Sequence, residues 1–338
     1  MATGTVTIQG DNQNARIAEQ TEVVGIEVNG TEGPDILNGS DGNDTVKALG
    51  GDDTIFGSLG QDLIEAGADN DTIDYSFVDG AITLFPIGML DNGDPEKSQL
   101  IDVETIIGAS GQPNTINTAE VTSELGATLD IDLGANKLTV NNIPNLGTQN
   151  FTVENFVNVE GTQNNDVILG NNEANTINGN GGNDILTGAG GNDVITGGDG
   201  NDTLSGTNSS ARGVGESDIL TGNSGTDKFV LGDADGAFYK TGGDADFAEI
   251  NEFGAGDQIQ LGTGDTYQIE RGSGNFKVFV TTEGTHDLIA DVSFGSTSST
   301  TNNLRTANSV DSVDLLGEVP EGDFTIAADE SVGVFVGS

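Results

Sequence analysis

Carboxylates at a fixed spacing are the first feature of this 338-residue chain that could do chemistry. From Gly30 to Asp74 the sequence divides without a gap into five nonapeptides, GTEGPDILN, GSDGNDTVK, ALGGDDTIF, GSLGQDLIE and AGADNDTID. Their sixth places are Asp35, Asp44, Asp53, Asp62 and Asp71. The pattern resumes from Gly161 to Ser205 as GTQNNDVIL, GNNEANTIN, GNGGNDILT, GAGGNDVIT and GGDGNDTLS, with Asp166, Asn175, Asp184, Asp193 and Asp202 in sixth place. After an irregular stretch, Gly206–Glu216, Asp218 and Asp227 restore the nine-residue step. Carboxylates flanked by glycine-rich backbone are hard oxygen ligands. Ca2+ takes six to eight of these from side chains and carbonyls, whereas Mg2+ demands a small octahedron and gives up its waters reluctantly.

The elements that must hold these carboxylates follow from the same nine residues. A glycine-rich hexad can turn tightly, because glycine reaches positive φ without steric cost. The three residues that follow alternate out, in, out, as a short strand requires. The inward place is always aliphatic: Leu37, Val46, Ile55, Ile64 and Ile73 in the first block, and Ile168, Ile177, Leu186, Ile195 and Leu204 in the second. Each nonapeptide is thus half a coil, and eighteen residues complete one. Same-side pairs are then Asp35–Asp53, Asp44–Asp62 and Asp53–Asp71, and Asp166–Asp184, Asn175–Asp193 and Asp184–Asp202. Neighbouring coils lie ~4.8 Å apart. Two carboxylates about 5 Å apart repel by about 3 kcal/mol at an effective dielectric of ~20, and a divalent cation between them reverses the sign. The Asn175 pair carries one charge fewer and is expected to bind more weakly, while Asp218 and Asp227 close the far end. Main-chain carbonyls are expected to complete the ligand sets from Gly39, Asp41, Gly42, Gly51, Gly60, Gly182, Gly191 and Gly200.

These residues resemble the RTX, or haemolysin-type, family, whose nonapeptide G-G-x-G-x-D-x-U-x binds calcium. The likeness is to secreted and surface proteins of the cyanobacterial kind. It implies an all-β fold of two parallel β-roll (RTX solenoid) blocks, with an intervening β segment and a C-terminal β cap, holding several Ca2+ ions. The expected divisions are an N-terminal β segment at 1–29, a first roll at 30–74 and an inter-roll segment at 75–160. A second roll follows at 161–230 with an inserted loop at 206–216, then a β cap at 231–295 and a linker and tail at 296–338. Within the inter-roll segment a degenerate unit, Ala109–Asn117, has Asn114 at the Asp place and Ile116 at the aliphatic one. Phe247–Leu261 resembles the segment that closes RTX rolls, and a solenoid needs such a cap. The acidic and aliphatic tail resembles the uncleaved signal of type I secretion, which implies an extracellular or cell-surface location. No basic stretch followed by an apolar one occurs in Met1–Ile17, so an N-terminal secretory signal is not expected.

Burying one aliphatic per repeat is worth roughly 1.5–3 kcal/mol, against about 1–2 kcal/mol for ordering the backbone of each of nine residues. The core is thin, so the roll is expected to be largely unfolded without calcium. Outward Ile36, Val167 and Ile185 call for something to cover them. A short helix is expected at Asn303–Leu316.

Bulk composition excludes several functions. Fifty-five acidic residues stand against ten basic ones, a formal net charge of −45, which is the opposite of a nucleic-acid footprint. There is no cysteine for disulfides or redox chemistry, and no apolar run nears the ~20 residues of a membrane-spanning helix. His286 is the single histidine; neither an HExxH motif nor a nucleophile elbow accompanies it. The reading is a non-enzymatic extracellular structural protein of a surface layer, filament or matrix. It forms a homo-oligomer or polymer if its terminal strands, within Thr3–Ile8 and Phe324–Val336, pair with a neighbour; ordinary edge strands inside one monomer are the equal alternative. A soluble or adhesin-type RTX module or calcium buffer is the runner-up, and an RTX-exported enzyme fragment ranks below both.

Overall fold

The structure, a computed structural model, describes residues 4–7, 25–93, 96–119, 126–143, 146–282, 285–295, 305–307, 324–327 and 334–336. The described residues are all β, with no helix, and fall into two units: Met1–Val121 with Ala135–Asn158, and Thr122–Gly134 with Val159–Ser338. Each unit contains one block of nonapeptides.

In the first unit, short strands stack in parallel on two faces. One face runs Ile26–Asn29, Thr45–Lys47, Leu63–Glu65 and Ser98–Ile101. The other runs Ile36–Asn38, Thr54–Phe56, Thr72–Asp74, Thr105–Ile107 and Gly147–Glu154. The register is eighteen residues through the repeats: Leu37 faces Ile55, and Ile55 faces Ile73. Each of these strands buries its middle residue and turns its flanks outward, so the inward aliphatics form two rows that are the core. The degenerate unit takes a place in the same stack: Asn114–Asn117 lies parallel to Thr83–Phe85, with Ile116 fully buried.

The second unit repeats the plan. Thr176–Gly181, Val194–Asp199, Ser217–Ser224, Phe247–Phe253 and Thr285–Phe294 are parallel on one face. Thr128–Asp132, Val167–Leu169, Ile185–Ala189, Thr203–Thr207, Lys228–Asp233 and Gln258–Leu261 are parallel on the other. The far end changes character. Thr266–Arg271 and Asn275–Thr282 form the hairpin their alternation suggests, and Asn275–Thr282 continues antiparallel onto Thr285–Phe294. There the single inward aliphatic gives way to a run of rings, Phe229, Phe253, Phe276 and Phe294, with successive centroids 6.0, 5.8 and 5.6 Å apart. Larger side chains cover the open end of the solenoid, which would otherwise expose its last core layer.

Three expectations concern the chain ends and the outer face. Both terminal segments pair inside the chain: Gly4–Thr7 with Ile26–Asn29, Phe324–Ala327 with Thr266–Arg271, and Val334–Val336 with Gln258–Leu261. Arg305–Ala307 is a strand on Val334–Val336, not the start of a helix; the rest of Asn303–Leu316 lies outside the described residues. Outward Ile36, Val167 and Ile185 remain 37, 46 and 52% exposed within the chain.

Candidate metal centres

The sixth-place side chains are built into ladders. All twelve are at most 3% exposed. One carboxylate oxygen accepts the N–H of the sixth residue one coil earlier: Asp53 from Asp35 at 2.7 Å, Asp62 from Asp44 and Asp71 from Asp53 at 2.9 Å, and Asp184, Asp193 and Asp202 from Asp166, Asn175 and Asp184 at 2.8 Å. The six same-side pairs are therefore joined directly. The insertion does not break the ladders. Asp193 donates to Asp218 and Asp202 to Asp227, at 2.8 and 2.9 Å, across 25 residues instead of 18. The extra chain is pinned by Arg212, whose guanidinium bonds Asp233 at 3.2 Å and the carbonyls of Gly236 and Ala237 at 3.1 Å.

Further rungs carry no nine-residue signal. Asp227 donates to Asp257 at 2.8 Å, Asp71 to Glu104 at 2.8 Å and Asp62 to the Ser98 hydroxyl at 3.0 Å, over 30, 33 and 36 residues. The hint was there for Asp257, an acid just before an alternating strand in the capping segment. For Glu104 and Ser98 nothing in the spacing gives them away.

The other carboxylate oxygen is the informative one. In Asp53, Asp71, Asp184, Asp193, Asp202 and Asp227, Oδ2 is buried without a hydrogen-bond partner, as is Oδ1 of Asp35. A buried unpaired charge costs several kcal/mol. Burial accordingly pushes the carboxyls up, helped by the neighbouring rungs: Asp184 to about 8, with Asp166 and Asp202 beside it, and Asp193 to about 8, with Asp218 and Glu216 beside it. Burial raises Asp53, Asp166, Asp218 and Asp227 to about 6.

Glycine in the first place makes room for these oxygens. A side chain on Gly179 would collide with Oδ2 of Asp184 and the carbonyl oxygen of Gly197; one on Gly188, with Asp193 and the Gly206 carbonyl; one on Gly197, with Asp202 and the Gly222 carbonyl. A carboxylate oxygen and a main-chain oxygen from the next coil thus converge on one small cradle. Among the described residues no three His, Cys, Asp or Glu side chains gather to hold a metal, so a cation here must draw on carbonyls as well. An all-oxygen, flexible donor set of this kind suits Ca2+. When bound, the ion supplies positive charge that neutralises the ladder.

The expected carbonyl ligands fare differently. Gly51, Gly60, Gly182, Gly191 and Gly200 are fourth-place residues with φ of 102, 107, 113, 108 and 140°. The Gly42 and Gly182 carbonyls point at the fourth place of the next coil, where a side chain on Gly60 or Gly200 would strike them. The Gly60 carbonyl accepts Asn92 at 2.9 Å and Ser98 at 3.1 Å, which uses both lone pairs. Gly39 is a first-place glycine facing the Asp44 carboxylate and the Ser58 hydroxyl, and Asp41 is exposed. The oxygens that meet the carboxylates are first-place carbonyls, those of Ala48, Gly179, Gly188, Gly197, Gly206 and Gly222, which sequence reasoning did not single out.

The model of the RTX calcium-binding nonapeptide repeat matches four stretches, 29–64, 48–77, 160–195 and 179–210. The chain carries RTX calcium-binding repeats. Its described residues are all β, and the matched repeats make a calcium-binding β-roll module. Among curated proteins none matches it significantly. Among solved structures it is similar to the extracellular lipase LipA from Serratia marcescens, at 18% identity and a TM-score of 0.24, over 82% of this chain and 39% of that one. The chain thus spans about two fifths of the lipase's length, and at that score the likeness carries no argument about activity.

Proposed function

We propose that this chain is a non-catalytic, extracellular structural protein whose two rolls fold on binding Ca2+, exported by type I secretion. The observation that carries it is the set of buried carboxylate oxygens left without a donor, stacked on successive coils, on side chains whose other oxygen accepts the N–H of the preceding rung. A metal-free roll holds these charges unpaired; a cation in each cradle pairs them. The ligands in this reading are the sixth-place acids named above together with first-place carbonyls. A non-catalytic role is supported by His286, which is exposed on a strand beside the Thr281 hydroxyl.

A second reading, a soluble or adhesin-type module or calcium buffer acting as a monomer, is favoured by one observation: the terminal strands pair within the chain. Electron microscopy of the purified protein with and without millimolar calcium separates the two. Ordered fibres or sheets that dissolve in chelator select the structural role; monodisperse particles in both conditions select the monomer. Circular dichroism tests what both share, since a β spectrum unchanged by EDTA refutes calcium-dependent folding.

A further inference from the structure

Eleven of the twelve loops are of two kinds, and the residue in second place separates them; the Asp218 carboxylate is met instead by the Tyr239 hydroxyl. In one kind the sixth-place side chain receives donors from inside its own loop. Thr31 donates its N–H and hydroxyl to Asp35 Oδ2, at 2.6 and 2.9 Å. Ser40 donates its N–H and hydroxyl to the two oxygens of Asp44, at 2.5 and 2.9 Å, and Thr162 does the same for Asp166, at 2.6 and 3.0 Å. The Ser58 hydroxyl reaches Asp62 Oδ2 at 3.3 Å, and the Asn171 N–H reaches the Asn175 side-chain oxygen at 2.9 Å.

In the other kind the second residue has positive φ: Leu49 (82°), Gly67 (115°), Asn180 (70°), Ala189 (85°), Gly198 (116°) and Asn223 (67°). The sixth-place residues of those loops are Asp53, Asp71, Asp184, Asp193, Asp202 and Asp227, the six whose Oδ2 has no partner. The geometry explains the match. In these loops the second-place amide does not reach Oδ2, and the segment lies against the same place in the next coil: Asn180 against Gly198, Gly198 against Asn223, Ala189 against Thr207. Thr and other β-branched residues resist positive φ, so they keep the amide on the carboxylate and add a hydroxyl.

We propose that a Thr or Ser in second place makes its nonapeptide independent of calcium, so that Ca2+ enters only the six loops whose second residue has positive φ. This rests on the calcium reading above and names which loops act in it. The second residue is then the specificity-determining position of each repeat. Its own donors supply, in the closed loops, the positive potential that the cation supplies in the open ones.

Two substitutions in the full chain test it. At its present φ a side chain on Gly198 would collide with the Asn180 carbonyl, so Gly198→Thr must swing the loop to the closed form. Thr162→Gly removes the donors and permits the open form. Calcium stoichiometry is read by titration against a chromophoric chelator, and folding is read by circular dichroism in EDTA and along the titration. Gly198→Thr should bind one ion fewer than the parent and keep more β signal in EDTA; Thr162→Gly should bind one ion more and need more calcium to fold. If Gly198→Thr fails to fold, Thr162→Gly decides alone. A calcium-binding parent whose folded variants keep its stoichiometry overturns the sorting and leaves the calcium reading standing. A parent that takes up no calcium overturns both.

Discussion

Replacing Asp184 by Asn separates the two roles that the ladder assigns to one side chain. Asp184 Oδ1 accepts the Asp166 N–H, and Oδ2 faces the Gly197 carbonyl without a donor. Asn keeps the first interaction and puts an NH2 where the bare oxygen was. The chain already contains this arrangement: the Asn114 side-chain oxygen accepts the Ile82 N–H at 2.9 Å, while its NH2 donates to the Ala109 and Asn155 carbonyls at 2.7 and 2.6 Å. The magnitude follows from the proton. Burial raises the Asp184 carboxyl from 3.8 to about 8. Each tenfold gain in proton affinity is worth about 1.4 kcal/mol, so the charged form costs the metal-free fold on the order of 5 kcal/mol at pH 8. The sign is fixed by linkage: the folded carboxyl binds its proton more tightly, so the cost is absent below about pH 4 and grows as pH rises toward 8. In EDTA at pH 8, where the parent is largely unfolded, Asp184→Asn should therefore shift the equilibrium toward the folded state by roughly a thousandfold or more, seen as β signal that the parent lacks. The gain should vanish near pH 4. In calcium the order should invert, because losing one charge of a buried pair costs about 3 kcal/mol or more, a hundredfold or greater loss of affinity at that site. Circular dichroism in EDTA and melting curves in calcium, each at several pH values, read all of this. A variant with no more β signal than the parent in EDTA at pH 8, or whose gain is the same at pH 4, refutes the reasoning.

Other outcomes follow from the same geometry. Calcium affinity should rise between pH 5 and pH 8 with release of protons, since the Asp184, Asp193, Asp53 and Asp227 carboxyls are held at about 8, 8, 6 and 6 and must ionise to bind; calorimetry in buffers of different ionisation enthalpy counts the protons. Leu186→Ala empties a fully buried place in a single-residue core layer and should cost about 2–5 kcal/mol in urea unfolding with calcium present. Gly191→Ala sets a side chain at a φ of 108° against the Glu173 and Ala174 backbone and should cost more than the roughly 1 kcal/mol of an ordinary Gly→Ala conflict; an unchanged melting temperature in calcium would refute the close packing of fourth places.

The parts of this molecule that were legible in sequence are those where one short stretch determines its own conformation. Leu37, Ile55 and Ile73 recur at eighteen because the turn and strand that place them are complete within nine residues, so spacing alone gives strand, core face and same-side pairing. The ladder was not legible beyond the blocks. The Asp227–Asp257 and Asp71–Glu104 rungs cross 30 and 33 residues, because a coil can absorb extra chain in an outward loop without moving its strands. Sequence spacing records the loop, while the hydrogen bond depends only on the strands. The main-chain oxygens beside the carboxylates were not legible for a related reason. Fourth-place glycines stand out in the repeat, but their positive φ serves the turn and the close approach of the next coil. The first-place carbonyls become visible only when two coils are stacked.

Which loops are closed, and where they fall, bears on how such a charged solenoid holds together. In the second unit the two leading rungs, Asp166 and Asn175, have donors from Thr162 and Asn171. At the far end Asp218 is met by the Tyr239 hydroxyl at 2.5 Å and Asp257 by the Gly254 N–H at 2.8 Å. The rungs with bare oxygens, Asp184, Asp193, Asp202 and Asp227, lie among them. A solenoid is stable through nearest-neighbour contacts, and its terminal coils have a neighbour on one side only. A cation shared between coils does least at an end, where one of its two walls is missing, and most in the interior, where each ion joins two complete rungs. Fixed donors at the ends and cations in the middle put each kind of neutralisation where its geometry is complete. The metal thereby controls the interior of the roll, while its boundaries are set by the sequence itself.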